Sequence, residues 1–362
     1  MKKILLTGAM LMALSFSVKA QVLESENFDG LTVGNVTEDL TGVTPGQGDY
    51  LSYVGVNGDE SDFQIIPEGQ SGNGLEISGG DLPGGTTQAT DNRRFLWKTG
   101  LNDAWLDRED GNNLITVEYY FNSAVVNGST SLHRTELYAA GGGGETMGGF
   151  EFNAATGRLS GLIYYEQNGQ DGTYNINFAT GGYILPEEYQ NTWIRLGFAI
   201  NPATGTVIWA SPDILEENPQ TGDLVAFQRS FVSSVAADLE PLEFDFVVFP
   251  GAANNTSSSA MYDGVTISAA SDLSEWLSVK PVVASSTFAV YPNPTSNVVN
   301  VNSNNALVNA VNFTDLNGRV VKSAKFNGVT DAQVNISDLA SGVYMMNISS
   351  DKGTTVKKIV KN

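Results

Sequence analysis

Two short segments of the chain concentrate side chains capable of acid–base work. Glu243-Phe244-Asp245-Phe246-Val247-Val248 sets two carboxylates two residues apart. On a strand, Glu243, Asp245 and Val247 share one face, and Phe244, Phe246 and Val248 the other. Cleavage of a glycosidic bond with retention needs two carboxyls about 5–5.5 Å apart, one as nucleophile and one as acid. Val247 and Val248 follow, so the strand carries no further carboxyl to serve as the acid partner. Leu132-His133-Arg134-Thr135-Glu136-Leu137-Tyr138 suggests another chemistry. A guanidinium, a carboxyl and a phenol on one strand face, Arg134, Glu136 and Tyr138, are groups with which a Tyr-based elimination is chemically possible. His133, the single histidine, faces away from all three.

Two further features suit ligands. Asp59-Glu60-Ser61-Asp62 and the acidic run 103–113 supply the hard oxygens that calcium prefers, without EF-hand spacing. Trp97, Trp105, Tyr164 and Tyr165 are rings that can stack on a sugar face, with Tyr164 and Tyr165 on opposite faces of a strand. The glycines at 141–144 and 148–149 form a flexible loop; no strand-to-helix pattern surrounds them, so they are not a phosphate cradle.

These residues lie on β-prone runs. In the body, alternating stretches at 114–121, 131–138, 149–153, 158–165, 173–179, 193–200, 207–210, 242–249 and 261–269 are separated by turn chemistry such as Asn153–Gly157 and Asn201–Gly205. No segment keeps a helical period. About ten antiparallel strands in this length predict a two-sheet β-sandwich. Seven more short runs follow at 288–291, 298–301, 308–314, 319–326, 332–336, 342–348 and 354–360, which predict a second, smaller sandwich. The Pro-containing stretch 276–287 suits a linker.

Composition narrows the function. The 362 residues carry 19 Lys+Arg against 40 Asp+Glu, a net charge of -21, with no Cys. Disulfides, thiolate metal sites and Cys nucleophiles are excluded, as are His-cluster metal sites. The acidity argues against nucleic acid as a partner. Lys2-Lys3, an apolar stretch from Ile4 to Val18 and Val18-Lys19-Ala20 predict a signal peptide over residues 1–20 and an extracytoplasmic mature chain, with no transmembrane segment. From residue 288 to the end there are seven Lys/Arg and four Asp; residues 21–287 hold nine and 36 acidic residues. An acidic body thus precedes a mildly basic tail.

Tyr291-Pro292-Asn293-Pro294-Thr295, Thr314-Asp315-Leu316-Asn317-Gly318-Arg319, Ile336-Ser337-Asp338-Leu339-Ala340-Ser341-Gly342-Val343-Tyr344 and Lys357-Lys358-Ile359-Val360-Lys361 closely resemble the type A C-terminal sorting domain. Cargo of the Bacteroidetes type IX secretion system carries this domain. The resemblance covers about 287–362 and implies an Ig-like β-sandwich, recognition by the secretion machinery, and a product released or attached at the outer-membrane surface.

The body resembles a concanavalin A-like, laminin-G-like jelly roll. Glu26-Asn27-Phe28-Asp29-Gly30 is similar to its opening strand, Trp193–Thr206 to its central strand-turn-strand, and Tyr262-Asp263-Gly264-Val265-Thr266-Ile267 to its closing strand. The resemblance implies a structural Ca2+ between opening and closing strands, held by Glu26, Asp29 and Asp263. Arg134-Thr135-Glu136-Leu137 is similar to a block of family 7 alginate lyases, although the rest of that family's motifs are absent. Expected domains are therefore a signal peptide at 1–20, a jelly roll at 21–275, a linker at 276–287 and a sorting domain at 288–362. The expected function is binding of polysaccharide by a secreted or surface-attached protein. A lyase or glycosidase using Arg134, Glu136 and Tyr138 is the alternative, and a structural or adhesive surface protein the third. An acidic body favours neutral or calcium-bridged glycans over strongly anionic ones.

Overall fold

The computed structural model describes residues 20–55, 58–79, 93–123, 128–141, 143–217, 224–249, 256–274, 276, 288–303, 307–314, 320–350 and 353–362. The chain divides into two compact units, Met1–Leu277 and Ser278–Asn362. Apart from Ala20 and Trp276, the expected signal peptide and linker lie outside the described residues. Among the described residues, no helix is long and apolar enough to cross a membrane.

The first unit is an all-β jelly-roll sandwich of two antiparallel sheets. One runs Leu224–Val232, Thr206–Glu217, Ile194–Asn201, Leu114–Asn122, Ser258–Ala270, Gly74–Gly79, Phe63–Ile66, Gly34–Asn35, with Gln21–Glu26 paired to Ser258–Ala270. The other runs Gln170–Asn177, Arg158–Gln167, Thr146–Asn153, Leu132–Ala139, Pro241–Phe249, Arg94–Trp97, Leu51–Val54. The chain passes between sheets, from Leu114–Asn122 to Leu132–Ala139 and from Pro241–Phe249 to Ser258–Ala270, so both close over one core.

Alternation decides which face each residue takes. Phe244, Phe246 and Val248 are buried in the interior, as the strand period requires. The Phe246 and Tyr262 rings meet at 4.8 Å. Each such ring removed from water contributes about 2–3 kcal/mol. His133 also points inward, its Nε2 2.8 Å from Ser258 Oγ on the facing sheet. Burial pushes its pKa down to about 4, which keeps the ring neutral at physiological pH.

Several expectations need correction. The opening strand is Gln21–Glu26, which ends where the segment 26–30 was expected to begin its strand. The chain turns at Phe28, whose φ of 57° carries its ring into the core against Tyr50 at 6.1 Å. Burial of that ring outweighs continuation of the ladder. Gly148 and Gly149 lie within the strand Thr146–Asn153, not in a loop. A Cβ on Gly149 would meet Thr135 O at 2.2 Å, and Trp209 Nε1 donates to Gly149 O at 2.6 Å, so close backbone approach explains the glycine. The short strands Leu51–Val54, Phe63–Ile66, Gly74–Gly79 and Arg94–Trp97 and the six-residue helix Leu101–Leu106 carried too little period to be expected.

The second unit contains a three-stranded sheet, Phe288–Tyr291, Val298–Ser303, Asp331–Asn335, and a four-stranded one, Val320–Val329, Val308–Thr314, Gly342–Ser350, Gly353–Lys361. Its core is separate: Phe288, Val301, Phe313, Met346, Ile348 and Ile359 are among its buried members. The Tyr291–Thr295 motif holds the last strand. Asn293 Nδ2 donates to Lys358 O at 2.8 Å, and its Oδ1 accepts from Val360 N at 2.9 Å. Thr295 N donates to Val360 O at 2.9 Å.

Candidate functional site

The outward face of the seven-stranded path is built in rungs, because antiparallel partners share a face. One rung runs Leu51, Trp97, Asp245, Glu136, Gly149, Leu162, Asn175. The next runs Tyr53, Phe95, Val247, Arg134, Glu151, Ser160, Asn177. The register therefore brings together residues from 51 to 245 and sets Asp245 between the Trp97 indole and Glu136.

A cleft of about 400 Å³ opens on this face, lined by Tyr53, Phe95, Trp97, Tyr138, Glu243 and Asp245 among others. One wall is aromatic, with the Tyr53 and Phe95 rings 6.3 Å apart. The floor is acidic. Asp245 is 4 % exposed, and its Oδ1 has no hydrogen-bond partner. Burial first, then the charges of Glu243, Glu136 and Glu24, push its pKa well above the carboxylate range. Burial raises Glu243 as well.

Beside the cleft lies a closed ion network. The Arg134 guanidinium meets Glu151 Oε2 at 2.7 Å and Glu136 Oε1 at 3.2 Å, and stacks on Phe249 at 4.5 Å. Thr146 Oγ1 donates to Glu136 Oε2 at 2.7 Å, and Asn175 Nδ2 to Glu151 Oε1 at 2.6 Å. Arg134 is thus already neutralised by two buried carboxylates. Burial, with the Glu136 charge beside it, raises the Tyr138 phenol, the opposite of what a proton-abstracting phenolate needs.

The structure distributes the sequence candidates as follows. Arg134, Glu136 and Tyr138 share one face as expected, but as a network that satisfies itself. Trp97 lies in the cleft. Tyr164 is partly exposed on the same face, two strands beyond Tyr138. Trp105 requires correction: it is 2 % exposed, with the Arg108 guanidinium 3.7 Å over its ring, so no face is left for a sugar. Tyr165 requires the same, because alternation turns it inward against Tyr174 and Phe231 at 5.1 and 5.2 Å. Of the expected calcium ligands, Asp29 and Asp263 lie within electrostatic reach of each other beside the 71–73 loop. Glu26 is engaged by Lys98 Nζ at 2.8 Å and by Phe28 N at 2.9 Å. Asp29 accepts from Asn73 N and Asp263 from Ser71 N. Among the described residues no group of three or more His, Asp or Glu side chains that could hold a metal ion is found.

Sequence reasoning missed Tyr53 and Phe95. Each is one ring in a four-residue strand, and only pairing with Pro241–Phe249 through Arg94–Trp97 shows where they go.

Comparison with known proteins identifies the tail. Residues 289–362 match the model of the secretion system C-terminal sorting domain, so the protein carries the tail of type IX cargo and is exported to the cell surface or beyond. No curated protein matches the chain. Solved structures similar in outline include a GH16 protein of the Bacteroides ovatus mixed-linkage glucan locus, at TM-score 0.42 and 9% identity over 68% of this chain and 100% of that one. Alginate lyase A1-II', of polysaccharide lyase family 7, aligns at 0.38 and 11% over 59% and 86%. The CBM2 module of the evolved Dit of Lactobacillus casei BL23 phage J-1 aligns at 0.35 and 8% over 69% and 96%. Likeness at this level transfers no residue, and the chemistry of the cleft rests on its own side chains.

Proposed function

We propose that this protein is a secreted or surface-attached glycan-binding jelly roll whose ligand lies in the cleft bounded by Tyr53, Phe95 and Trp97. One observation carries the reading: an aromatic wall stands directly across the register from carboxyl groups that can bond sugar hydroxyls. Flat apolar sugar faces stack on such rings, while polar groups at the floor orient them. Residues 1–20 direct the chain to the periplasm and are removed, and residues 288–362 bring it across the outer membrane.

Binding without elimination is favoured by the Arg134 network. A clamp for a uronate carboxylate needs a free guanidinium, and this one is held between Glu136 and Glu151. The test is a polysaccharide panel scored by affinity-gel retention and by release of unsaturated or reducing ends. Retention without product, weakened about tenfold or more by Trp97→Ala, supports the reading. Unsaturated product would replace it with a lyase, and retention unchanged in Trp97→Ala would move the ligand out of the cleft.

A further inference from the structure

Asp245 is a buried carboxyl that lines the cleft, and nothing is bonded to its buried Oδ1. Such a group is costly unless something completes it. The groups that face it are mostly acidic: Glu243 two residues along its own strand, Glu136 across the register, and Glu24 of the first strand. The nearby cations are engaged elsewhere. Lys98 Nζ binds Glu26 and lies 4.4 Å from the centre of the Tyr50 ring. Arg134 is held by Glu136 and Glu151. The Arg93 guanidinium stacks on Phe249 at 5.1 Å. It stands four residues along the strand from Trp97, roughly 13 Å at strand rise. The cleft therefore combines a cluster of carboxyl groups with no cation of its own among the described residues, an orphan acceptor and an indole face.

We infer that the preferred ligand is a protonated amino sugar, its ring on Trp97 and its ammonium donating to Asp245 Oδ1 with Glu243 as second acceptor. The inference rests on the glycan reading above and names the class of glycan. An ammonium brings three donors and a full positive charge, which answers both the empty acceptor and the surplus of carboxylates. Its placement beside an indole adds a cation–π contact. A neutral hexose or an N-acetylated one offers hydroxyl and amide donors but no cation to stabilise the ionised carboxyl. Burial favours the protonated form of Asp245 in the free protein, and its ionisation on binding of the cation releases a proton to solvent.

Titration calorimetry of the mature full-length protein decides it. The probes are a glucosamine oligomer, its N-acetylated counterpart and a cello-oligomer of equal length. Measurements are made at about pH 6, where the amine is charged, in two buffers of different ionisation enthalpy. The glucosamine oligomer is expected to bind about tenfold tighter than the other two and to do so with net proton release. Asp245→Asn removes the preference and the proton release; Glu188→Gln, an exposed acid outside the cleft, changes neither. Equal affinity for all three oligomers overturns the inference and leaves the glycan reading standing. A preference that survives in Asp245→Asn marks general attraction to an acidic surface and also overturns it. Failure to bind any of the three, in either protein, overturns the inference, and failure across the polysaccharide panel overturns the glycan reading itself.

Discussion

The sorting unit and the sandwich cleft are both made from antiparallel strands, yet they handle charge in opposite ways. Among the described residues, the sandwich buries Arg94, Glu136, Glu151, Asp245 and Asp263, whereas the tail buries only Lys361 at 9 % exposure. The tail core is aliphatic and aromatic. Its recognisable motif serves the backbone, with Asn293 bonding both a donor and an acceptor of the last strand. A module read by export machinery needs a dependable shape, and hydrophobic burial supplies it without desolvated charge. The cleft places carboxyls where burial disfavours their charged form.

The largest expected effect separates the two units. Deleting residues 288–362 abolishes appearance of the protein outside the cell, while the remaining body, which has its own core, still folds. Fractionation with circular dichroism of the retained body checks both parts. An unfolded body would break the comparison.

Within the sandwich, Arg134→Ala leaves Glu136 and Glu151 buried without their cation, and should cost about 4 kcal/mol in denaturant unfolding. A loss below about 1 kcal/mol would mean that the network is exposed and weak, as surface pairs are. In the tail, Asn293→Ala removes two bonds to the last strand and costs about 1–2 kcal/mol, read as an earlier melt of the sorting unit alone.

Asp245→Asn should act in the opposite direction and raise stability at neutral pH by about 1 kcal/mol. The sign follows from its raised native pKa. The unfolded carboxyl loses its proton near its ordinary value of 3.8, while the native one retains it. Native stability contributed by Asp245 therefore falls as pH rises above that value, and Asn has no such dependence. Melting curves across pH should show the gain growing from acid toward neutral. A destabilised Asp245→Asn would make the residue structural and remove the contrast with the tail.

The sequence alone was enough for whatever is encoded in contiguous residues. Alternation over 242–249 and 131–138 showed which side chains share a face, and the structure keeps Arg134, Glu136 and Tyr138 together and turns His133 away. The tail was legible almost strand by strand, because each run is short, alternating and bounded by its own turn, and the family match covers the same residues. Tertiary structure decided what depends on strand order. Which strand lies beside Pro241–Phe249 sets Trp97 and Glu136 on either side of Asp245, and Leu51–Val54 brings Tyr53 from almost 200 residues away in sequence. Packing of the whole core likewise buried Trp105, set Tyr165 against Phe231, and brought Lys98 to Glu26. Periodicity fixes a face within one strand, but register between distant strands is set by how the whole core packs, and no local pattern carries that information.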